Sequence, residues 1–199
     1  MIKTRLIAAS ALTLAIGANA AAEVVAAAPD HFTLTLEAET ELSPSEVWAR
    51  LIEPSDWWLP DHTYSADSNN LTLDPQAGGL WREDWDGGSV WHGTVIQAHP
   101  EKMLVLSAPF GPLQGLAVTS IWTISLAPNE AGGTLITFDH VTNGTSASQL
   151  DQLAPAVDFV KSEALVTQGI VTFPTVRLAE LGKARNSLKR KSGHGRYRH

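Results

Sequence analysis

Leu80-Trp81-Arg82-Glu83-Asp84-Trp85-Asp86-Gly87-Gly88-Ser89-Val90-Trp91-His92-Gly93-Thr94-Val95 decides the fold class. A turn signal, Asp86-Gly87-Gly88, separates two runs that alternate in polarity, the pattern of an antiparallel hairpin. By alternation Trp81, Glu83 and Trp85 share one face, and Leu80, Arg82 and Asp84 the other. A turn on Gly87-Gly88 places Glu83 opposite His92 and Trp81 opposite Thr94.

Working outward, more strands appear on both sides. Phe32 to Ala38 alternates with period two, and Leu71 to Leu73 makes a brief strand. Met103 to Ser107, Ala117 to Leu126 and Thr134 to Val141 complete about six to seven strands. Between the first two, Ser43-Pro44-Ser45-Glu46 is a capping box with Pro at the first helical position. It opens a short helix carrying Val47, Trp48 and Leu51, and Pro54 to Trp58 forms a second helix or turn. After His140 the pattern changes: Leu153, Val157, Val160, Leu165 and Ile170 recur three to four apart, predicting a long helix over Leu150–Leu181. The expected class is α+β, an antiparallel sheet with a long C-terminal helix laid on one face.

The chain ends differ from this body. Lys3 and Arg5, the apolar run Leu6–Gly17 and Ala18-Asn19-Ala20 have the order of a signal peptide cleaved after Ala20. Residues 1–20 are therefore expected to be a leader, 21–30 a flexible lead-in, 31–182 the domain and 183–199 a tail. Localisation is then periplasmic or secreted. No apolar run of about 18 residues predicts a spanning helix.

In a chain of 199 residues, 44% hydrophobic and 18% charged, composition suits one domain. With no Cys, disulfide scaffolds, thiol nucleophiles and cysteine-ligated metals are excluded. Between Ala21 and Gly182, five basic residues (Arg50, Arg82, Lys102, Lys161, Arg177) face all 21 acidic ones. That balance speaks against nucleic acid. The tail from Lys183 carries the other seven basic residues of the mature chain and no acid, and reads as disordered. It offers at most a weak contact with anionic membrane.

The order of elements resembles the START-related helix-grip (SRPBCC) superfamily. Within it the chain is most similar to heat-shock-protein ATPase activator homologues and polyketide-cyclase-like proteins. The resemblance rests on Ser43-Pro-Ser-Glu-Val-Trp48, Trp57-Trp58 with Asp61-His62-Thr63-Tyr64, and Asp74-Pro75 followed by Gly78-Gly79, Trp81 and Glu83. It continues through His92-Gly93 with Val95, Pro100 with Leu104, Gly132-Gly133-Thr134 and Leu153-Ala-Pro-Ala-Val157, spanning about 32–181. It implies a helix-grip fold, a strongly curved antiparallel sheet wrapped around the long C-terminal helix, with a cavity between them. A leader departs from the cytosolic relatives and sets co-chaperone work aside.

The candidate site follows from chemistry-bearing residues inside that frame. Trp58, Trp81, Trp122 and Phe138 are expected as apolar walls, with His62, Glu83, His92 and His140 as orienting polar groups. The expected ligand is a hydrophobic or amphipathic small molecule. Two alternatives are a cyclase- or hydrolase-like enzyme with Glu83 and His92 as general-base pair, and an envelope interaction or chaperone-like module. No Gly-x-Ser-x-Gly elbow, phosphate-binding loop or dinucleotide fingerprint occurs, and the His spacing matches no compact metal signature. No metal, cofactor or obligate protein partner is expected, while Gly111-Pro112-Leu113-Gln114-Gly115 is a breaker-rich loop able to serve as a flap. N-terminal sequencing of the exported protein should begin at Ala21; an intact Met1 on the secreted form would sink the leader assignment.

Overall fold

A computed structural model describes residues 21–157, with side chains described from Val24 onward. The expected leader, the rest of the expected long helix beyond residue 157 and the expected basic tail lie outside the described residues. One antiparallel sheet of eight strands carries the fold, in the order β1-β2-β8-β7-β6-β5-β4-β3. The strands are β1 Ala21–Ala28, β2 His31–Thr40, β3 Leu71–Leu73, β4 Leu80–Trp85, β5 Gly88–His99, β6 Met103–Ser107, β7 Thr119–Pro128 and β8 Thr134–Asn143.

Helices fill the gap between β2 and β3. Helix α1, Pro44–Leu51, opens on the expected capping box: Glu46 N–H donates to Ser43 Oγ at 3.3 Å, and Ser43 N–H to Glu46 Oε2 at 2.8 Å. Helix α2, Pro54–Trp57, follows at once, then a 3-10 turn at Pro60–His62. A further helix, α3, begins at residue 150 and runs to 157, the last described residue. The long helix expected to Leu181 is thus described only in its first two turns.

Two sequence expectations are corrected. The stretch 21–30, expected as a loose lead-in, contains β1, which pairs with β2 from Ala21↔Glu37 to Ala28↔His31. Its Ala-rich run lacks alternation, but a ladder needs only backbone donors and acceptors, and Val25 is absorbed as a bulge. This strand raises the count from six or seven to eight.

The second correction is the β4–β5 register. Trp85 pairs with Gly88 and Glu83 with Val90, while Trp81 pairs with Gly93 and Leu80 with Thr94. The turn is Asp86-Gly87, not Gly87-Gly88, because Gly87 takes the left-handed position at φ +91°. Gly88 instead lies in the strand under Trp85, whose ring leaves only 2.5 Å for a Cβ there. A bulge between Trp81 and Arg82 then makes His92 the extra residue of β5.

Behind this sheet the core is a row of inward side chains. Leu36, Ala38, Ile124, Leu126, Ile136, Phe138, Leu104, Leu106 and Val95 pack with Val47, Trp48 and Leu51 of α1. A smaller cluster of Phe32, Leu34, Leu113, Leu150 and Ala154 joins β2 to α3. Gly93 lets β5 close on the chain after β6: a Cβ there would lie 2.7 Å from both Ala108 Cβ and Ser107 O. Gly93→Ala should therefore lower unfolding stability by about 1–3 kcal/mol, the usual cost of overpacking. A urea midpoint equal to that of the parent protein would refute this close approach.

Candidate functional site

Trp57 and Trp58 are placed by the short α2, which turns both indoles inward. The Trp57 indole N–H donates to Leu51 O and that of Trp58 to His62 O, each at 3.2 Å, so both rings satisfy their polar edge while buried. Trp58 packs edge-on against Trp81 at 5.6 Å, lies near-parallel to Trp122 at 6.3 Å, and meets Phe110 at 4.6 Å. Trp122 in turn meets Phe138 at 5.3 Å and His140 at 5.4 Å. One aromatic cluster thereby links α2, β4, β7 and β8.

Beside this cluster lies a cavity of about 280 Å³. Its described lining comes from the mouth loop Asp61–Tyr64, the segment Phe110–Leu113, Trp58, Trp122, His140 and the end of α3 at Ala156 and Val157. This volume falls just below the usual range of about 300–1,000 Å³ for small-molecule sites, and its walls are mainly apolar. The Gly111–Leu116 stretch, the expected flap, is a 3-10 helix over the cavity.

His140 lies fully buried in the cavity wall. Its Nε2 is 2.5 Å from Ser120 Oγ and 2.8 Å from Thr142 Oγ1, and the two hydroxyls are 3.0 Å apart. Phe32 meets the ring edge-on at 5.1 Å. Hydroxyls from β7 and β8 thus hold the imidazole in one orientation.

Glu83 and His92 form a second, separate centre. Despite the shifted register they meet, because His92 is the same-face diagonal neighbour of Glu83's partner Val90. His92 Nε2 donates to Glu83 Oε2 at 3.0 Å, and both side chains are 0% exposed. Glu83 also accepts from Tyr64 N–H at 3.1 Å and Ser65 N–H at 2.5 Å. Burial alone would raise the Glu83 carboxyl, but the hydrogen bonds from Ser65, Tyr64 and His92 outweigh it and hold it below its ordinary value. Burial lowers His92 by more than the Glu83 carboxylate restores. The pair is therefore an ionised carboxylate and a neutral imidazole, with His92 Nδ1 buried and without a hydrogen-bond partner among the described residues.

Of the eight expected site residues, Trp58, His62, Trp122 and His140 line the cavity. Trp81, Glu83, His92 and Phe138 stand behind that wall, in the core or in the buried pair. Phe110, Leu113 and Val157 were not singled out as wall residues. An aromatic immediately before the Gly111-Pro112 breaker was the available signal for Phe110. Among the described residues, no group of three or more His, Asp or Glu could hold a metal ion.

Neither a protein-family model nor a curated protein sequence matches the chain. Solved structures do share its fold. CalU16 from Micromonospora echinospora superposes with a TM-score of 0.52 at 19% identity, covering 83% of this chain and 90% of that one. EF2215 from Enterococcus faecalis, a conserved protein of unknown function, gives 0.50 at 16% identity, covering 84% and 91%. A putative uncharacterized protein from Rhizobium leguminosarum gives 0.50 at 19% identity, covering 71% and 93%. At such identities the likeness defines the fold, an α+β domain built on one antiparallel sheet, and not an activity.

Removing the buried carboxylate tests the second centre. Glu83→Ala leaves two backbone N–H groups and His92 without an acceptor, and should cost about 3–5 kcal/mol in chemical denaturation. Glu83→Gln, which keeps one acceptor oxygen, should cost less. Equal and small losses in both would mean that the carboxylate does not hold the mouth loop.

Proposed function

We propose that this protein binds a small hydrophobic or amphipathic molecule in the aromatic cavity, within a helix-grip-type domain exported to the periplasm. The observation that carries this reading is the cavity itself. Trp58, Phe110 and Trp122 supply rigid apolar faces that enclose most of it. A ligand with a largely apolar body matches those walls. The export part of the proposal rests on the charge and apolar order of residues 1–20.

Catalysis by the Glu83–His92 pair receives no support from its position. The carboxylate is engaged by three donors, and Phe110 lies flat on the imidazole at 4.2 Å and 17°. A general base must reach the proton that it abstracts, and neither residue lines the cavity.

Native mass spectrometry of protein purified from periplasm, followed by organic extraction, should show a co-purifying small molecule. In protein stripped of it, N-phenyl-1-naphthylamine should bind with enhanced fluorescence. Val157→Trp, which fills one wall, should weaken that binding at least about tenfold, a loss of some 1.4 kcal/mol. Undiminished probe binding in a folded Val157→Trp protein would reject the cavity as the site.

A further inference from the structure

Both walls of the cavity mouth converge on the Glu83–His92 pair. From one side, Tyr64 and Ser65 donate their backbone N–H groups to Glu83. From the other, Phe110, at the head of the 3-10 segment Gly111–Leu116, stacks on the His92 ring. The two walls are also latched to each other. Tyr64 Oη donates to Gln114 Oε1 at 2.8 Å, and Gln114 Nε2 donates to Trp91 O, next to His92, at 2.5 Å. The 3-10 segment is bounded by Gly111 at φ +59° and Ala117 at φ 52°. Gly111 can change conformation there at no steric cost, and Ala117 gives up a strained left-handed conformation if the segment moves.

We propose that the Glu83–His92 pair is an acid-sensitive bolt on this mouth, which holds the loop 61–65 and the segment 110–116 closed while His92 is neutral and releases them when His92 takes up a proton. In the closed form the imidazole uses its one N–H on Glu83. A second proton must be placed on Nδ1, which is buried and has no acceptor among the described residues. The groups packed against the ring are Phe110, Trp81 at 6.2 Å and Tyr64 at 5.9 Å. The titratable ones among these neighbours are the Glu83 carboxyl from β4 and the Tyr64 phenol from the mouth loop. The Glu83 charge is already shared among three donors. A new N–H is satisfied only when the ring reaches water, which requires the mouth to part.

The direction with pH follows from linkage. His92 in the closed form is held below its ordinary value of 6.5, so the open form binds the proton more tightly. Closure is fully favoured above that value and weakens as pH falls beneath it. Glu83, also lowered, adds loss of the same sign further into acid. This inference rests on the proposed ligand-binding role only for what passes through the mouth; the bolt itself can be read without any ligand.

Amide hydrogen exchange on the full mature chain is the test, with protection factors for Tyr64 and Ser65 corrected for intrinsic rates from about pH 7.5 to 5.5. Protection at these two amides should fall several-fold, up to the roughly tenfold that one linked proton allows over this range, while the β7–β8 amides stay protected. In His92→Gln, which keeps a donor for Glu83 but cannot titrate, protection should change less than about twofold. Flat protection in the parent protein, or an equal fall in His92→Gln, overturns the bolt. NMR titration of the His92 ring in the parent protein gives a second reading that needs no variant. Its midpoint should lie below the ordinary imidazole value, and a ring that protonates at or above that value with protection unchanged overturns the bolt. N-phenyl-1-naphthylamine distinguishes the two proposals. Binding that never occurs, beside a working exchange response, rejects the cavity role and upholds the bolt. Binding with pH-independent protection does the reverse.

Discussion

A carboxylate can remain ionised in a protein interior only if hydrogen bonds replace the water that it has lost. Glu83 meets that condition with two backbone N–H groups from residues 64 and 65 and one imidazole N–H. The arrangement fixes more than a charge. The loop after the 3-10 turn Pro60–His62 has no ladder of its own, and Glu83 supplies the acceptors that hold it against the sheet. Placing the cavity mouth thus depends on one side chain of β4, and on the bulge that brings His92 to the same face.

The aromatic cluster plays the complementary role. Trp58, Trp81, Trp122 and Phe110 give large rigid areas with few rotatable bonds, so the wall between sheet and mouth loop keeps its shape at small entropic cost. Rings sharing edge-on and tilted contacts leave a wall that is apolar yet cannot collapse into the adjoining space. That is the physical difference between a cavity that persists and one that the core would fill.

Most of the sheet was legible because its strands alternate: β2, β4, β6 and β8 fall within two or three residues of the boundaries that polarity alone suggests. The capping box at Ser43 was equally readable, since its chemistry is local. What escaped was non-local or backbone-driven. Strand β1 carries no alternation for a reader to find. The β4–β5 register turned on which of two adjacent glycines takes positive φ, and on a bulge that no pattern announces. The Glu83–His92 contact was expected for the wrong register, and long side chains made the diagonal pairing serve. Phe138 and Trp81 read as walls because their faces were right, but depth within the core is set by neighbours from distant segments.

Strand β2, near the start of the domain, lies between β1 and β8, pairing from His31↔Asn143 to Thr40↔Thr134. The sheet therefore cannot be completed until roughly a hundred further residues are available, and local contacts alone leave the apolar face of β2 without its neighbour. Chains dominated by such distant pairings reach their native state slowly, because the entropy of closing the loop is spent before the contacts that reward it exist. A newly made chain of this kind stays open and threadable for longer than a helical bundle of equal length.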